Sequence, residues 1–223
     1  MQIQSYNDIV VRCLQFPSYP DLLVGEACGL TMNKTIYDPP ICGKKMLRFL
    51  IKAEHTSVLE HCFWTFYIEG ISRSCLAQIT RHRMGSFTSA SQHYATYDDM
   101  PMVVEDPSTA DASALEHSLN AYVTAIRIKG ASKEEARQLL PNACAVNLMW
   151  TVNARSLLNF FRLRLCQRNC KEIQILTEKI RVATKLYWRD FGLVAGPPCW
   201  MDGKCNQGKM SCGIVYDRQE EEG

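Results

Sequence analysis

Arg81, His82 and Arg83 put two permanent cations and a titratable imidazole on consecutive residues, and a hydroxyl-dense run, Ser86, Thr88, Ser89 and Ser91, follows directly. A guanidinium is a planar fork of donors suited to carboxylate and phosphate oxygens, and hydroxyls with backbone N–H groups complete such a cradle. Taken alone, the triplet also fits a solvated helix end before a polar loop, because short motifs often match by chance. Three further places carry comparable chemistry: residues 55–57, Arg137, and the stretch 153–164 with Asn153, Arg155, Asn159 and Arg164. Four sites for anions or planar rings are more than a plain scaffold needs. Ser91 could be a nucleophile, yet the sequence offers it no His–Asp or Lys partner, so a phosphate-ligand role fits better.

The elements that must position these residues are legible from periodicity. Met46, Leu47, Leu50 and Ile51 predict a helix over 44–53, ending at a polar knuckle over 54–57. The aromatic run 62–68 predicts a buried strand that Gly70 breaks. Ser72 then caps a helix to about Arg83, with Ile71, Cys75, Leu76 and Ile79 inward and Gln78, Arg81 and His82 on the other face. Gly85 ends that helix, and the serine-rich loop leads to an extended piece near Tyr94. Residues 1–40 read as an N-terminal strand and a short irregular region, with turn signals at Pro17, Pro20, Pro39 and Pro40. Residues 98–111 read as an exposed connection. Leu115, Leu119, Tyr122 and Ile126 mark a helix stopped by Gly130, and Ser132 opens a capping box for a short helix containing Arg137. Residues 145–152 predict a second buried strand. Asn153 caps a helix through Leu165 that carries Arg155, Asn159 and Leu163 on one face. A last helix from about Lys171 turns Ile173, Leu176, Ile180, Ala183 and Tyr187 inward. The class is α+β, a small central sheet packed with helices.

With 223 residues and 47% hydrophobic content, the chain can bury one sizeable core. A division into a body, 1–195, and a Cys/Gly-rich tail, 196–223, is expected. The near-balanced charge of +2 argues against a nucleic-acid partner. No apolar run is long enough to span a bilayer and the N-terminus lacks a signal-peptide pattern, so no membrane partner and a cytoplasmic location are expected. Eleven cysteines in an odd, scattered set read as reduced thiols. Cys199, Cys205 and Cys212, with Cys166 or Cys170, could form a four-thiolate zinc site, but no Cys-x-x-Cys pair supports it, and no metal ligand is assigned.

Arg81-His82-Arg83 followed by Ser91, with Gln78 before it, His55-Thr56-Ser57 then Glu60-His61, Arg137 ahead of Leu139-Leu140-Pro141, and residues 151–161 with Leu163-Arg164 occur in one order. In this the sequence resembles the flavin-dependent thymidylate synthases from roughly Lys44 to Glu178. The resemblance implies a homotetramer with active sites shared between subunits. It also implies reductive methylation of dUMP to dTMP, with FAD as cofactor and NADPH and methylenetetrahydrofolate as co-substrates. Carried over by position, His55, Ser57, Arg81, His82, Arg83, Ser89, Asn153, Arg155 and Asn159 would bind FAD, His55 lying near the folate ring as well. Gln78, Arg81, Ser89, Ala90, Ser91, Gln92, His93, Arg137 and Arg164 would hold the nucleotide. Arg164 would be the catalytic residue, set against the uracil edge where negative charge develops.

The chain departs from the family around the nucleotide. Thr88 and Ser89 stand where Asn and Glu are common, and His93 where Arg is common. Residues 169–174 lack the family's Gln and Trp, having Asn169, Cys170 and Lys171 instead. These changes leave open another pyrimidine nucleotide such as UMP or dCMP, a hydroxymethyl product, or a binding protein that has lost catalysis.

Overall fold

The structure is a computed structural model that describes residues 1–33 and 41–214, apart from the side chain of Asp202. The turn signals Pro39 and Pro40, and the end of the expected tail, 215–223, lie outside the described residues.

Strands β1 (Ile3–Ser5) and β2 (Val10–Gln15) flank a turn in which Ser5 and Asp8 cap each other's backbone. Helix α1 (Pro20–Thr31) follows, where the sequence predicts irregular chain. Pro20 starts it, a position where the missing N–H is harmless. Its buried positions include Val24, Gly25, Cys28 and Gly29, so the side chains that usually draw an apolar stripe are mostly small. Helix α2 (Lys44–Lys52) buries Leu47, Leu50 and Ile51, as the spacing predicts.

Strand β3 (Phe63–Ser72) buries Trp64, Phe66 and Ile68 by simple alternation. Gly70 does not end it. The residue takes φ +72° and the pairing shifts register between Ile68 and Ile71, a bulge that keeps Ile71 inside. Helix α3 (Arg73–Ile79) starts on Ser72, whose Oγ accepts the Cys75 N–H at 3.0 Å. It stops a turn earlier than predicted, so Arg81 and His82 lie beyond the helix. Gly85, expected to close that helix, instead opens strand β4 (Gly85–Ser89). A Cβ there would stand 2.7 Å from Trp150 Nε1 and 2.9 Å from the Thr151 carbonyl, so only glycine lets the strand lie this close to its neighbour.

The supposed exposed connection holds strand β5 (Met102–Val104), with Met102 and Val103 buried and paired to β1 in parallel. Flanking prolines and acids hid it. Helix α4 (Ala112–Arg127) is capped by Asp111, and helix α5 (Lys133–Ala136) by the predicted Ser132–Glu135 box. Arg137 follows that helix and begins a 3-10 turn, rather than lying inside the helix. Strand β6 (Ala145–Asn153), helix α6 (Ala154–Arg164) and helix α7 (Lys171–Tyr187) match expectation. Tyr187 does not turn inward but stacks on Phe16 at 3.8 Å, near the point where helix α8 (Arg189–Val194) folds back on α7 through Gly192 against Lys185. The tail contains helix α9 (Pro198–Asp202), whose Trp200 sits on Gly196 beneath the Arg181 guanidinium, 5.2 Å from the ring.

Four strands form an antiparallel sheet in the order β2-β3-β6-β4, and β1-β5 is a separate pair. The core lies between this sheet and the helices, centred on Trp64, Trp150, Phe160, Phe161, Trp188 and Phe191. The fold is α+β. Among the described residues no helix is long and apolar enough to cross a membrane.

Candidate active site

Strand β6 runs straight into α6, and the junction is fixed by Asn153, whose Oδ1 accepts the Ser156 N–H at 2.9 Å. Leu157, Leu158, Phe160 and Phe161 bind α6 to the core. That leaves Arg155, Asn159 and Leu163 exposed along one line, as the spacing predicts. Arg164 ends the helix and is held at three of its nitrogens. Nε donates to His82 Nε2 at 3.0 Å, Nη2 to the Gln78 carbonyl at 3.1 Å, and Nη1 to Asn169 Oδ1 at 3.3 Å. All three acceptors are neutral in this arrangement, and among the described residues no carboxylate pairs with Arg164. Burial draws its pKa below the usual guanidinium value, and Arg81 adds to that. A guanidinium nevertheless stays protonated, so the site keeps a fixed, uncompensated cation.

His82 is the other half of this arrangement. Burial, with Arg164 beside it, pushes its pKa down to about 4, and its ring meets Phe160 edge-on at 4.9 Å. It is therefore neutral near pH 7, and accepting at Nε2 places its proton on Nδ1.

Two cavities open beside Arg164. One, about 540 Å³, has Arg81, His82, Arg83, Asn153, Arg155, Asn159 and Arg164 in its lining. The other, about 630 Å³, is lined by Arg73, Gln78, Asn142, Arg81 and Arg164. Arg81 and Arg164 belong to both, so ligands in the two cavities would meet across two guanidiniums.

The sequence matches the family described as thymidylate synthase complementing protein over residues 23–186. A flavin-dependent thymidylate synthase from Clostridium tetani is 32% identical over 242 residues, covering 95% of this chain and 96% of its own. The chain belongs to the flavin-dependent thymidylate synthase family. A Geobacter sulfurreducens member is 40% identical over 172 residues, covering 71% of this chain and 72% of its own. Two solved structures share the fold. The UMP/dUMP methylase PolB from Streptomyces cacaoi, bound with 5-Br dUMP, gives a TM-score of 0.74 at 21% identity, over 86% of this chain and 95% of its own. The flavin-dependent thymidylate synthase from Helicobacter pylori, complexed with FAD and dUMP, gives 0.68 at 22% identity, over 80% and 98%.

Of the residues that the family resemblance singles out, the fold gathers Gln78, Arg81, His82, Arg83, Asn153, Arg155, Asn159 and Arg164 around the two cavities. A flavin dinucleotide suits the first. Its lining offers guanidiniums for a pyrophosphate and amides for a polar ring edge, and its one carboxylate, Glu60, is paired with Arg155. His55 and Ser57 are exposed on the turn after α2 and line neither cavity. Neither do Ser89, Ala90, Ser91, Gln92, His93 and Arg137. His93 and Arg137 instead share Glu134, with Nδ1 and Nη2 at 4.0 and 3.6 Å from its two oxygens. The Ser91 hydroxyl accepts the His93 N–H at 3.2 Å in that loop, and Lys133 Nζ holds the Tyr94 carbonyl at 2.6 Å.

Two contributors escape sequence reasoning. Arg73, which no motif in the sequence singles out, lines the second cavity and donates to the Ala90 carbonyl at 2.9 Å and to Tyr97 Oη at 2.7 Å. Asn169 holds Arg164. No periodicity marks either one. Among the described residues no three His, Cys, Asp or Glu side chains converge to hold a metal ion.

Proposed function

We propose that this enzyme converts dUMP to dTMP by reductive methylation, with methylenetetrahydrofolate as carbon donor and NADPH as reductant. The observation that carries this reading is that Arg81 and Arg164 line both a cavity of about 540 Å³ rich in guanidiniums and amides and a second, donor-rich one. FAD, held in the first cavity by Arg81, Arg83, Asn153, Arg155 and Asn159, would supply the hydride chemistry. The chain's own residues bind, orient and polarise. Gln78 and Arg81 receive the nucleotide in the second cavity. Arg164 presents its guanidinium to the uracil edge, where N3 and the flanking carbonyls gather negative charge as C5 and C6 react. A preorganised cation with only neutral partners stabilises that charge at no cost in reorientation.

Arg137, His93 and Ser91 would take the phosphate. Since they line neither cavity of their own chain, the reading places them in the active site of a neighbouring copy. His55 and Ser57 would likewise act across a subunit boundary, near flavin and folate. The proposed assembly is a homotetramer with shared sites. Holding the phosphate far from the reacting ring serves mainly to fix the ring's position.

The test is incubation of purified protein with FAD, NADPH, methylenetetrahydrofolate and, separately, dUMP, UMP and dCMP, followed by mass analysis of the nucleotide. A gain of one methyl on dUMP supports the proposal. Methylation of UMP or dCMP alone transfers it to another pyrimidine, a hydroxymethyl adduct changes the product, and no change in any nucleotide refutes it.

A further inference from the structure

The six-residue loop 165–170 between α6 and α7 begins at the residue after Arg164, and one of its members fixes that residue's guanidinium. Asn169 accepts from Arg164 Nη1, and its own amide N–H groups go to the Leu163 and Cys166 carbonyls. Its backbone N–H donates to the Cys166 carbonyl at 3.0 Å and its carbonyl accepts from Gln174 Nε2 at 2.7 Å. Every polar group of Asn169 is thereby engaged, and its side chain can meet Arg164 in only one pose while the loop keeps its shape. Little apolar burial maintains that shape. Leu165 is buried and Cys166 half-buried, while Gln167, Arg168 and Cys170 are exposed.

The next support comes from the far end of the chain. Arg168, adjacent to Asn169, reaches outward to the tail, where Nη1 donates to Gln207 Oε1 at 2.8 Å and Nη2 to Met210 Sδ at 3.5 Å. The tail is itself anchored. Trp200 and Met201 pack against the core, Gly203 turns the chain at φ +65°, and a 3-10 turn at Gly208–Met210 presents Met210 to Arg168. From tail to guanidinium the path is Gln207 and Met210, Arg168, its covalent neighbour Asn169, then Arg164.

We propose that the Cys/Gly-rich segment 198–214 is a positioning element of the active site, which holds loop 165–170 so that Asn169 orients Arg164. This rests on the reading of Arg164 as the ring-polarising residue. The tail touches no reacting atom. Its effect is on where a fixed cation points, and charge misplaced by a fraction of an ångström loses transition-state stabilisation more than it loses substrate binding.

The experiment uses the full-length, FAD-loaded enzyme with Arg168→Ala, Gln207→Ala, the double variant, and Gln207→Glu, which can still accept from Arg168. Steady-state turnover of dUMP and amide hydrogen exchange over residues 163–170 are measured for each. Both single variants should lower kcat about tenfold, with KM for dUMP within about twofold and exchange in the loop accelerated. The double variant should be no worse than Arg168→Ala, which by itself already breaks both contacts of Arg168 to the tail. Gln207→Glu should retain parental turnover. Unchanged kcat with unchanged exchange overturns the proposal. So do multiplicative losses in the double variant, or a lower melting temperature alone. If the parent makes no dTMP, the proposed function fails on its own account, and exchange over 163–170 still decides whether the tail holds the loop: acceleration in both variants supports it and parental rates refute it.

Discussion

Replacing His82 by Leu removes the acceptor of the Arg164 Nε–H while keeping a side chain of similar bulk against Phe160. In the parent that contact is 3.0 Å long and made to a neutral ring, and burial already weighs against the guanidinium's charge. A charged donor left without its partner costs on the order of 1.5–3 kcal/mol. Arg164 keeps two acceptors, Gln78 O and Asn169 Oδ1, on its other nitrogens. It can recover part of the loss by rotating, and rotation turns it from the second cavity. Either route reduces stabilisation of the developing charge, and kcat on dUMP should fall about 10- to 100-fold. His82→Gln, which still offers a carbonyl acceptor, should recover most of it. Acid does to the parent what the substitution does permanently. The folded-state pKa of His82 lies below its unfolded value, at about 4 against 6.5. The neutral ring's contribution to stability is therefore complete above pH 6.5 and is lost as pH falls toward 4. The full shift corresponds to roughly 3 kcal/mol, which solvent contact of the half-buried ring reduces to on the order of 1 kcal/mol. Urea denaturation at pH 7.5 and pH 5, beside steady-state turnover and flavin absorbance, measures all of this. His82→Leu should lose less stability than the parent over that interval. A His82→Leu enzyme with parental flavin content and kcat within twofold of the parent would show that Arg164 needs no help from the imidazole.

Arg164→Lys keeps the charge but cannot reach His82, Gln78 and Asn169 at once, so kcat should drop about 100-fold with dUMP affinity changed far less, as read by single-turnover kinetics and equilibrium dialysis. Gly85→Ala drives a methyl into Trp150 Nε1 and the Thr151 carbonyl and should cost about 1–3 kcal/mol in urea denaturation. Glu172→Ala strips the Ser72 N–H and hydroxyl of a buried carboxylate at 2.7 and 2.6 Å, where α3 and α7 begin together. It should destabilise the fold by about 2–3 kcal/mol, and a melting temperature equal to the parent's would contradict that.

Where side chains in the sequence repeat at the period of their element, the element was legible. β3 and β6 alternate large apolar residues with smaller or polar ones, and α6 combines a cap at Asn153 with a clean division between its core stripe and its Arg155–Asn159–Leu163 face. Helix α1 was not legible, because glycine and cysteine at its buried positions carry little hydrophobic signal and two glycines speak against a helix. β5 was hidden by its three-residue length among turn-forming neighbours. The site was legible in part and for a partly wrong reason. Grouping Gln78, Arg81 and His82 by helical spacing named residues that do converge, yet α3 ends at Ile79. It is the turn beyond, with the His82 N–H donating to the Ile79 carbonyl at 3.1 Å, that aims them. The His82–Arg164 bond joins residues 82 apart and the Arg73–Ala90 bond crosses from a helix to a loop, so neither has a local signature.

The two basic clusters differ in a way that bears on their division of labour. Arg164 has only neutral partners and a second guanidinium nearby, so the protein leaves the electrostatic demand of that site unmet. Any group that gains negative charge there is stabilised in proportion to the charge gained, which in the proposed reaction would favour the transition state over the neutral ground-state ring. Arg137 and His93 already face a carboxylate, Glu134, at long range on an exposed surface. In the proposed function an arriving phosphate would compete with that carboxylate, and would do so with a larger charge that does not change during reaction. Such a cluster can bind and position but cannot accelerate the chemistry, since its interaction is the same before and at the barrier. In the proposed reaction the unneutralised Arg164 serves where charge changes, and Arg137, already facing Glu134, where it stays constant.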